Sequence, residues 1–304
     1  MYRNFFVMGL SVLLATQPEV GCAAAGEDLE GGPSRRAVAM ILEAEKTPSY
    51  QISFATRLAN TGTIENLEKA IEILSPLAEA GHADAKRNFP KAQNRLAVVL
   101  ANTGTIENFQ KAIEIFSPLA AAGDVYAKTN LPRVQCDLVY KLADAGGIEN
   151  FEKAMEILSV LAAAEHADAE INLPAAQNEL AVALVETSSI ENLEKAIEIL
   201  TPLATAGHAD AKRNFPKAQN RLAVVLANTG TIENLEKAIG ILTPLATAGH
   251  AMAETNLPKV QFLLAIKITK TDTVENLEKA IGILSPLAAA GHAEAKINLP
   301  VAQN

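Results

Sequence analysis

The sequence predicts an all-α solenoid of helix-turn-helix repeats, and three observations carry that prediction. The phrase I-E-N-L-E-K-A, beginning at Ile64, returns with small changes at Ile106, Ile148, Ile190, Ile232 and Val274, 42 residues apart at every step. Prolines at 48, 90, 132, 174, 216, 258 and 300 keep the same register without a gap. Between these markers apolar residues recur at helical spacing, and no period-2 alternation interrupts them. A fixed period of this size marks stacked units that bury their apolar faces against one another.

Taken in chain order, residues 1–25 read as a secretory signal. Arg3 supplies the positive start, and Phe5 to Ala15 is an apolar run too short to span a bilayer. Ala23-Ala24-Ala25 supplies the small-residue cleavage pattern. A lipoprotein anchored through Cys22 is the rival reading. Glu19 and Thr16-Gln17-Pro18 stand between the apolar run and that cysteine and speak against it. The mature chain is therefore expected to be exported, periplasmic or extracellular. Its one remaining thiol, Cys136, is expected to be a buried small side chain. Residues 26–33 form a linker with Gly31-Gly32-Pro33 as a hinge. Residues 34–63 hold a capping helix, Ser34 to Lys46, followed by a partial repeat, and 64–304 hold six tandem units.

Within a unit the first helix is predicted from about Asn66 to Ala80. Leu67, Ala70, Ile71, Leu74 and Ala78 form its apolar stripe, Asn66 caps its start, and Gly81 takes the left-handed position at its end. Pro76 falls inside this pattern and is expected to bend the helix. The second helix is predicted to start near Asn88-Phe89-Pro90 and run through Ala92, Leu96, Val99 and Leu100 to the joint at Asn102-Thr103-Gly104. The third unit departs from the others, with Val160 in the proline slot and Glu165 in the glycine slot. At the far end Asn304 follows Pro300 by four residues. The last second helix is thus expected not to be built, leaving an apolar flank on 276–289 and self-association through 276–304.

E-K-A-I-E-I-L-x-P-L-A-E-A-G-H (Glu68 to His82), followed by A-Q-x-x-L-A (Ala92 to Ala97), resembles the Sel-one-like repeat branch of the tetratricopeptide-like superfamily. Gln93 and its counterparts Gln51, Gln135, Gln177, Gln219, Gln261 and Gln303 match the family's glutamine, and the resemblance covers 48–304. It implies a right-handed superhelix and a protein-binding scaffold or adaptor. Two departures stand out. Ile73, Leu74 and Leu100 are aliphatic where the family has aromatics, and Ala83 to Phe89 reads as an inserted loop between paired helices. Loops inserted in solenoids line up on one face, often the binding face.

Composition narrows the function. The 304 residues are 49% hydrophobic with a formal net charge of −9, so no basic excess exists to neutralise nucleic-acid phosphates. The five histidines, His82, His166, His208, His250 and His292, occupy one slot of the repeat, with Asp124 in the second unit. Spaced a unit apart, they are too distant to share a metal and read as turn residues at a helix C-terminus. Cys136 with His166 is the one imaginable nucleophile and base, and other units carry Asn94 or Phe262 in the cysteine slot. Glu65, Asn66 and Lys69 recur as first-turn charges and caps. No catalytic, cofactor or metal site is predicted.

The informative positions vary while the frame stays constant. Asn94 becomes Cys136, Asn178, Asn220 and Phe262; Arg95 becomes Asp137, Glu179, Arg221 and Leu263; Lys86 becomes Lys128, Glu170, Lys212, Glu254 and Lys296. Such changes of sign point to side chains facing solvent or a partner. Lys86, Arg87, Asn94, Arg95, Lys128, Asp137, Glu179, Lys212, Arg213, Asn220, Arg221 and Phe262 are therefore the candidate contacts of a protein or peptide ligand. A secreted effector that binds a host protein is the alternative. So is an enzyme acting on β-lactams, implied by cysteine-rich relatives whose paired cysteines this chain lacks.

Overall fold

A computed structural model of the protein describes residues 40, 43–270 and 273–303. The signal segment, its cleavage site, the hinge and most of the expected capping helix fall outside them. Among the described residues the chain is all-α, with no strand. It divides into two compact units, Met1–Asn102 and Thr103–Asn304.

The first unit contains α1 (Pro48–Thr61), α2 (Ile64–Glu79) and α3 (Ala83–Asn102), each packed on the others. The second contains five helical hairpins: α4 (Ile106–Ala121) with α5 (Val125–Ala145), α6 (Ile148–Ala163) with α7 (Ala167–Thr187), α8 (Ile190–Thr205) with α9 (Ala209–Thr229), α10 (Ile232–Thr247) with α11 (Ala251–Thr269), and α12 (Val274–Ala289) with α13 (Ala293–Gln303). Within this second unit each helix packs on the next, as in a tetratricopeptide-like solenoid. Second helices of successive hairpins also meet, α5 with α7 and on to α11 with α13. Leu193, Leu235, Leu242 and Leu284, each at most 1% exposed, form part of a core that runs from hairpin to hairpin.

The first helices are capped by a hydroxyl residue rather than by the expected asparagine, Thr63, Thr105, Thr231 and Thr273 in four units and Ser189 in another, while Gly147 before α6 gives no side-chain cap. Thr63 is extended, and its Oγ1 accepts from the Asn66 N–H at 3.3 Å, which makes Thr63 the N-cap. Asn66 instead reaches back, its Nδ2 donating to Thr61 Oγ1 at 2.9 Å, and so ties the helix to the end of the previous one. The same bond recurs from Asn108 to Thr103, Asn192 to Thr187 and Asn234 to Thr229. At the other end Gly81 does take positive φ, +95°. Its N–H donates to Ala78 and the His82 N–H to Leu77, the two bonds of a Schellman turn.

That turn corrects the expected second helix. It begins at Ala83, directly after His82, so the supposed inserted loop Ala83 to Phe89 is helical and Asn88 is no cap. Pro90 is the eighth residue of α3, and its missing N–H leaves the Lys86 carbonyl without an intrahelical donor. Lys86 and Arg87 are exposed, so water can serve that carbonyl. The histidines shift role for the same reason. Their backbones close the preceding helix and open the next, with His166, His208 and His250 as N-caps that make no side-chain bond.

Two further expectations change. The α6–α7 hairpin keeps the common turn although Glu165 must adopt φ +59° to make it. The last second helix, expected to be missing, is built over Ala293–Gln303 and buries Ala295 and Ala302. The uncovered flank therefore shrinks. Leu284 and Leu287 are buried and Leu277 is half-buried, with Val274, Ile297 and Val301 exposed.

Candidate interaction grooves

The spacing of the hairpins makes the first groove. Second helices touch along the second unit, whereas the backbones of successive first helices stand farther apart among the described residues. Between α6 and α8 this leaves a depression of about 540 Å³ floored by Leu180 of α7. Glu152, Met155, Glu156 and Ser159 line one side, and Lys195, Glu198 and Ile199 the other. Lys195 crosses it to Glu152 at 2.7 Å, and Lys279 makes the same crossing to Glu236 at 2.6 Å between α12 and α10. One lysine against three carboxylates leaves the rim acidic over an apolar floor. None of these residues is among the variable positions singled out by sequence, although the change from Glu156 and Glu198 to Gly240 and Gly282 in the last two units is a signal that could have marked them.

A second groove, of about 340 Å³, lies between α9 and the start of α11. Here the structure brings together three of the sequence-predicted residues, Lys212, Arg213 and Asn220, with Lys217, His250 and Met252 beside them.

The remaining predicted positions scatter. Lys86, Arg87, Lys128 and Glu179 are exposed, and Arg87 pairs with Asp84 at 2.9 Å. Arg95 donates to Asn60 Oδ1 at 2.7 Å and Arg221 to Ser188 Oγ at 2.7 Å, so each arginine ties its helix to the preceding second helix or the joint after it. The expectation that the asparagine slot faces solvent fails: Asn94, Asn178 and Asn220 are 7–8% exposed. Asn214 Nδ2 donates to Asn178 Oδ1 and Asn256 Nδ2 to Asn220 Oδ1, both at 3.1 Å, forming amide clasps between successive second helices. Where the slot holds Cys136 or Phe262 the clasp is lost. Asn172 and Asn298 then donate within their own helices, to the Asp168 and Glu294 carbonyls. Phe262 packs instead on the His292 ring, with centroids 5.3 Å apart.

Cys136 is half-buried rather than buried. Burial pushes its thiol pKa up, and the Asp168 and Asp137 carboxylates push it further, which disfavours a thiolate nucleophile. His166 Nδ1 is buried without a hydrogen-bond partner. Among the described residues no group of three or more His, Cys, Asp or Glu could hold a metal ion, and no helix is long and apolar enough to cross a membrane.

No protein-family model matches the chain, and no curated protein does. Among solved structures, an engineered protein is 15% identical over 75% of this chain and 95% of its own, with a TM-score of 0.21. A computationally designed self-assembling cyclic homo-oligomer is 15% identical over 89% of this chain and 99% of its own, with a TM-score of 0.15. At those values neither bears on function.

Proposed function

We propose that the chain is an exported, non-catalytic scaffold of the Sel-one-like kind that holds a partner protein on its first helices. Helical-repeat architecture of this sort is typical of scaffolds, and the observation that carries the reading is the groove between α6 and α8. An apolar floor at Leu180, a flexible Met155 and a rim of Glu152, Glu156 and Glu198 suit a segment with aliphatic anchors and flanking Lys or Arg. Charge complementarity of that kind sets partner choice and speeds encounter more than it adds affinity.

Affinity capture with the full chain, followed by mass spectrometry, tests this when run beside a Glu156→Lys/Glu198→Lys variant. Proteins held by the parent and lost by the variant support the scaffold; identical captures overturn the groove. Cell fractionation addresses export, since a cytoplasmic pool alone contradicts it. Self-association through 276–304 belongs to the same proposal, resting on exposed Ile297 and Val301. A strictly monomeric mass in light scattering removes it.

A further inference from the structure

We propose that the Glu152 carboxylate is the cation subsite of the α6–α8 groove, held in the free chain by its own Lys195, which a partner's lysine or arginine displaces onto Glu191. The inference rests on the scaffold reading above and deepens it: it fixes where one charge of the bound segment sits and what must move to admit it.

The repeat shows that this lysine has two places to go. Four of its counterparts turn back along their own helix to the glutamate four residues earlier, Lys69 to Glu65, Lys111 to Glu107, Lys153 to Glu149 and Lys237 to Glu233, at 2.7–2.8 Å. A glutamate four residues before a lysine is the favourable order on a helix. Lys195 has the same choice in Glu191 and takes Glu152 across the groove instead, which leaves Glu191 exposed and without an ion pair among the described residues. One unit earlier the position of Glu152 is Gln110, and with no carboxylate to cross to, Lys153 stays local. At the next joint both acceptors act on one lysine. Lys237 bonds Glu233, which raises its pKa by hydrogen bond and charge, and the Glu194 carboxylate across the joint raises it further. The two arrangements thus lie close in energy, as expected of exposed pairs that each contribute little.

The crossing position suits an incoming cation. Glu152 is 46% exposed, against 76–82% for the glutamates of the four within-helix pairs, and it lines the depression of about 540 Å³ over Leu180. An ammonium 2.7 Å from Glu152 already stands where a partner's would. The charge that Lys195 leaves over draws a second cation in: Glu156 and Glu198 line the same depression and make no ion pair among the described residues. The α10–α12 joint is the contrast. Lys279 crosses to Glu236 in the same way, but Gly240 and Gly282 replace the two unpaired glutamates, so the charge that recruits a competitor is missing there. At α6–α8 the exchange turns one ion pair into two, because the partner takes Glu152 while Lys195 gains the unused Glu191.

The test uses the full chain and a fluorescein-labelled peptide of alternating Lys and Leu, read by fluorescence polarisation. If Lys195 must retreat to Glu191, Glu191→Gln should weaken binding severalfold although Glu191 does not line the groove, because the open arrangement becomes rarer. In a Lys195→Met background the same change should do nothing, whereas a long-range charge effect would be equal in both. Lys195→Met alone should tighten binding severalfold, and adding Glu152→Gln should cancel that gain. All three positions are exposed, and circular dichroism on each variant separates loss of binding from loss of fold. Equal effects of Glu191→Gln with and without Lys195, or a gain that survives Glu152→Gln, overturn the subsite and leave the groove standing. A peptide that binds neither the parent nor Lys195→Met, or that binds the Glu156→Lys/Glu198→Lys variant as well as the parent, overturns the groove and the subsite with it.

Discussion

At the scale of single residues, one side chain carries a cost that its counterparts avoid. Glu165 adopts φ +59° to close the α6–α7 hairpin, where Gly81, Gly123, Gly207, Gly249 and Gly291 hold the same turn in the other units. A left-handed conformation costs a non-glycine residue about 1–2 kcal/mol, and glycine's extra unfolded-state freedom offsets about 0.4–1 kcal/mol of any gain. Glu165→Gly should therefore stabilise the turn by roughly 0.5–1 kcal/mol. Amide exchange at His166, whose N–H bonds the Leu161 carbonyl, should slow severalfold; faster exchange would show that the glutamate contributes something the turn needs. The amide clasps illustrate the limit of local reading at this same scale. Asn178 and Asn220 carry the polarity of surface residues, and only a partner 36 positions away explains their burial. The sole hint in the sequence was the asparagine two residues before Pro90 and its counterparts, which returns in all six units as Asn88, Asn130, Asn172, Asn214, Asn256 and Asn298.

Among the elements, the first helices were legible and the starts of the second were not. Leu67, Ala70 and Leu74 are fully buried along one face, as their spacing required. Asn-Phe-Pro, by contrast, reads as a cap followed by a first-turn proline, although the chain is already helical from Ala83. The reason is physical: a proline at the start of the third turn, near an exposed helix end, costs one hydrogen bond that water replaces, so it punctuates less strongly than its reputation. Capping can be tested directly. Thr231 Oγ1 accepts from the Asn234 N–H at 3.2 Å, and Thr231→Val should destabilise α10 by about 1 kcal/mol, read as a shifted denaturant midpoint. First-turn ion pairs give a pH dependence. Lys69, Lys111, Lys153 and Lys237, through hydrogen bond and charge, hold Glu65, Glu107, Glu149 and Glu233 below the usual carboxylate range. A carboxylate lowered in the folded state stabilises it above its unfolded value and loses that contribution as pH falls through the folded one. Helicity should thus decline on acidification below about pH 4.5, and more steeply at low salt, because these exposed pairs are screened. For Glu233 the pairing is mutual: Lys237 is raised, so its share persists below the ordinary lysine value and is lost only as pH rises through the raised one. Glu233→Gln should flatten both limbs, and an acid limb indifferent to salt would contradict the pairing.

For the array within Thr103–Asn304, stability is a chain of unit and neighbour contributions, so one weak hairpin should open before the rest. Four observations place that weakness at α6 and α7. Gly147, at φ +90°, precedes α6 and offers no side-chain cap, where Thr231 and Thr273 cap their helices. Glu165 strains the turn, and Cys136 removes the amide clasp to the preceding second helix. Asp168, Glu170, Glu179 and Glu186 then load α7 with negative charge and no lysine or arginine to balance it. Backbone amides of α6 and α7 should accordingly exchange faster than those of α8 to α10 under native conditions. Adding salt should narrow the difference by screening α7, and Glu165→Gly should narrow it further from the turn side. Uniform protection across the five hairpins would mean that packing of Leu158, Leu180 and Leu184, each 1% exposed, outweighs all four defects together. The distinction matters for function because Leu180 floors the acidic groove. A hairpin that opens easily there can adjust the gap between α6 and α8 to its occupant, and partner binding should then raise protection most in α6 and α7.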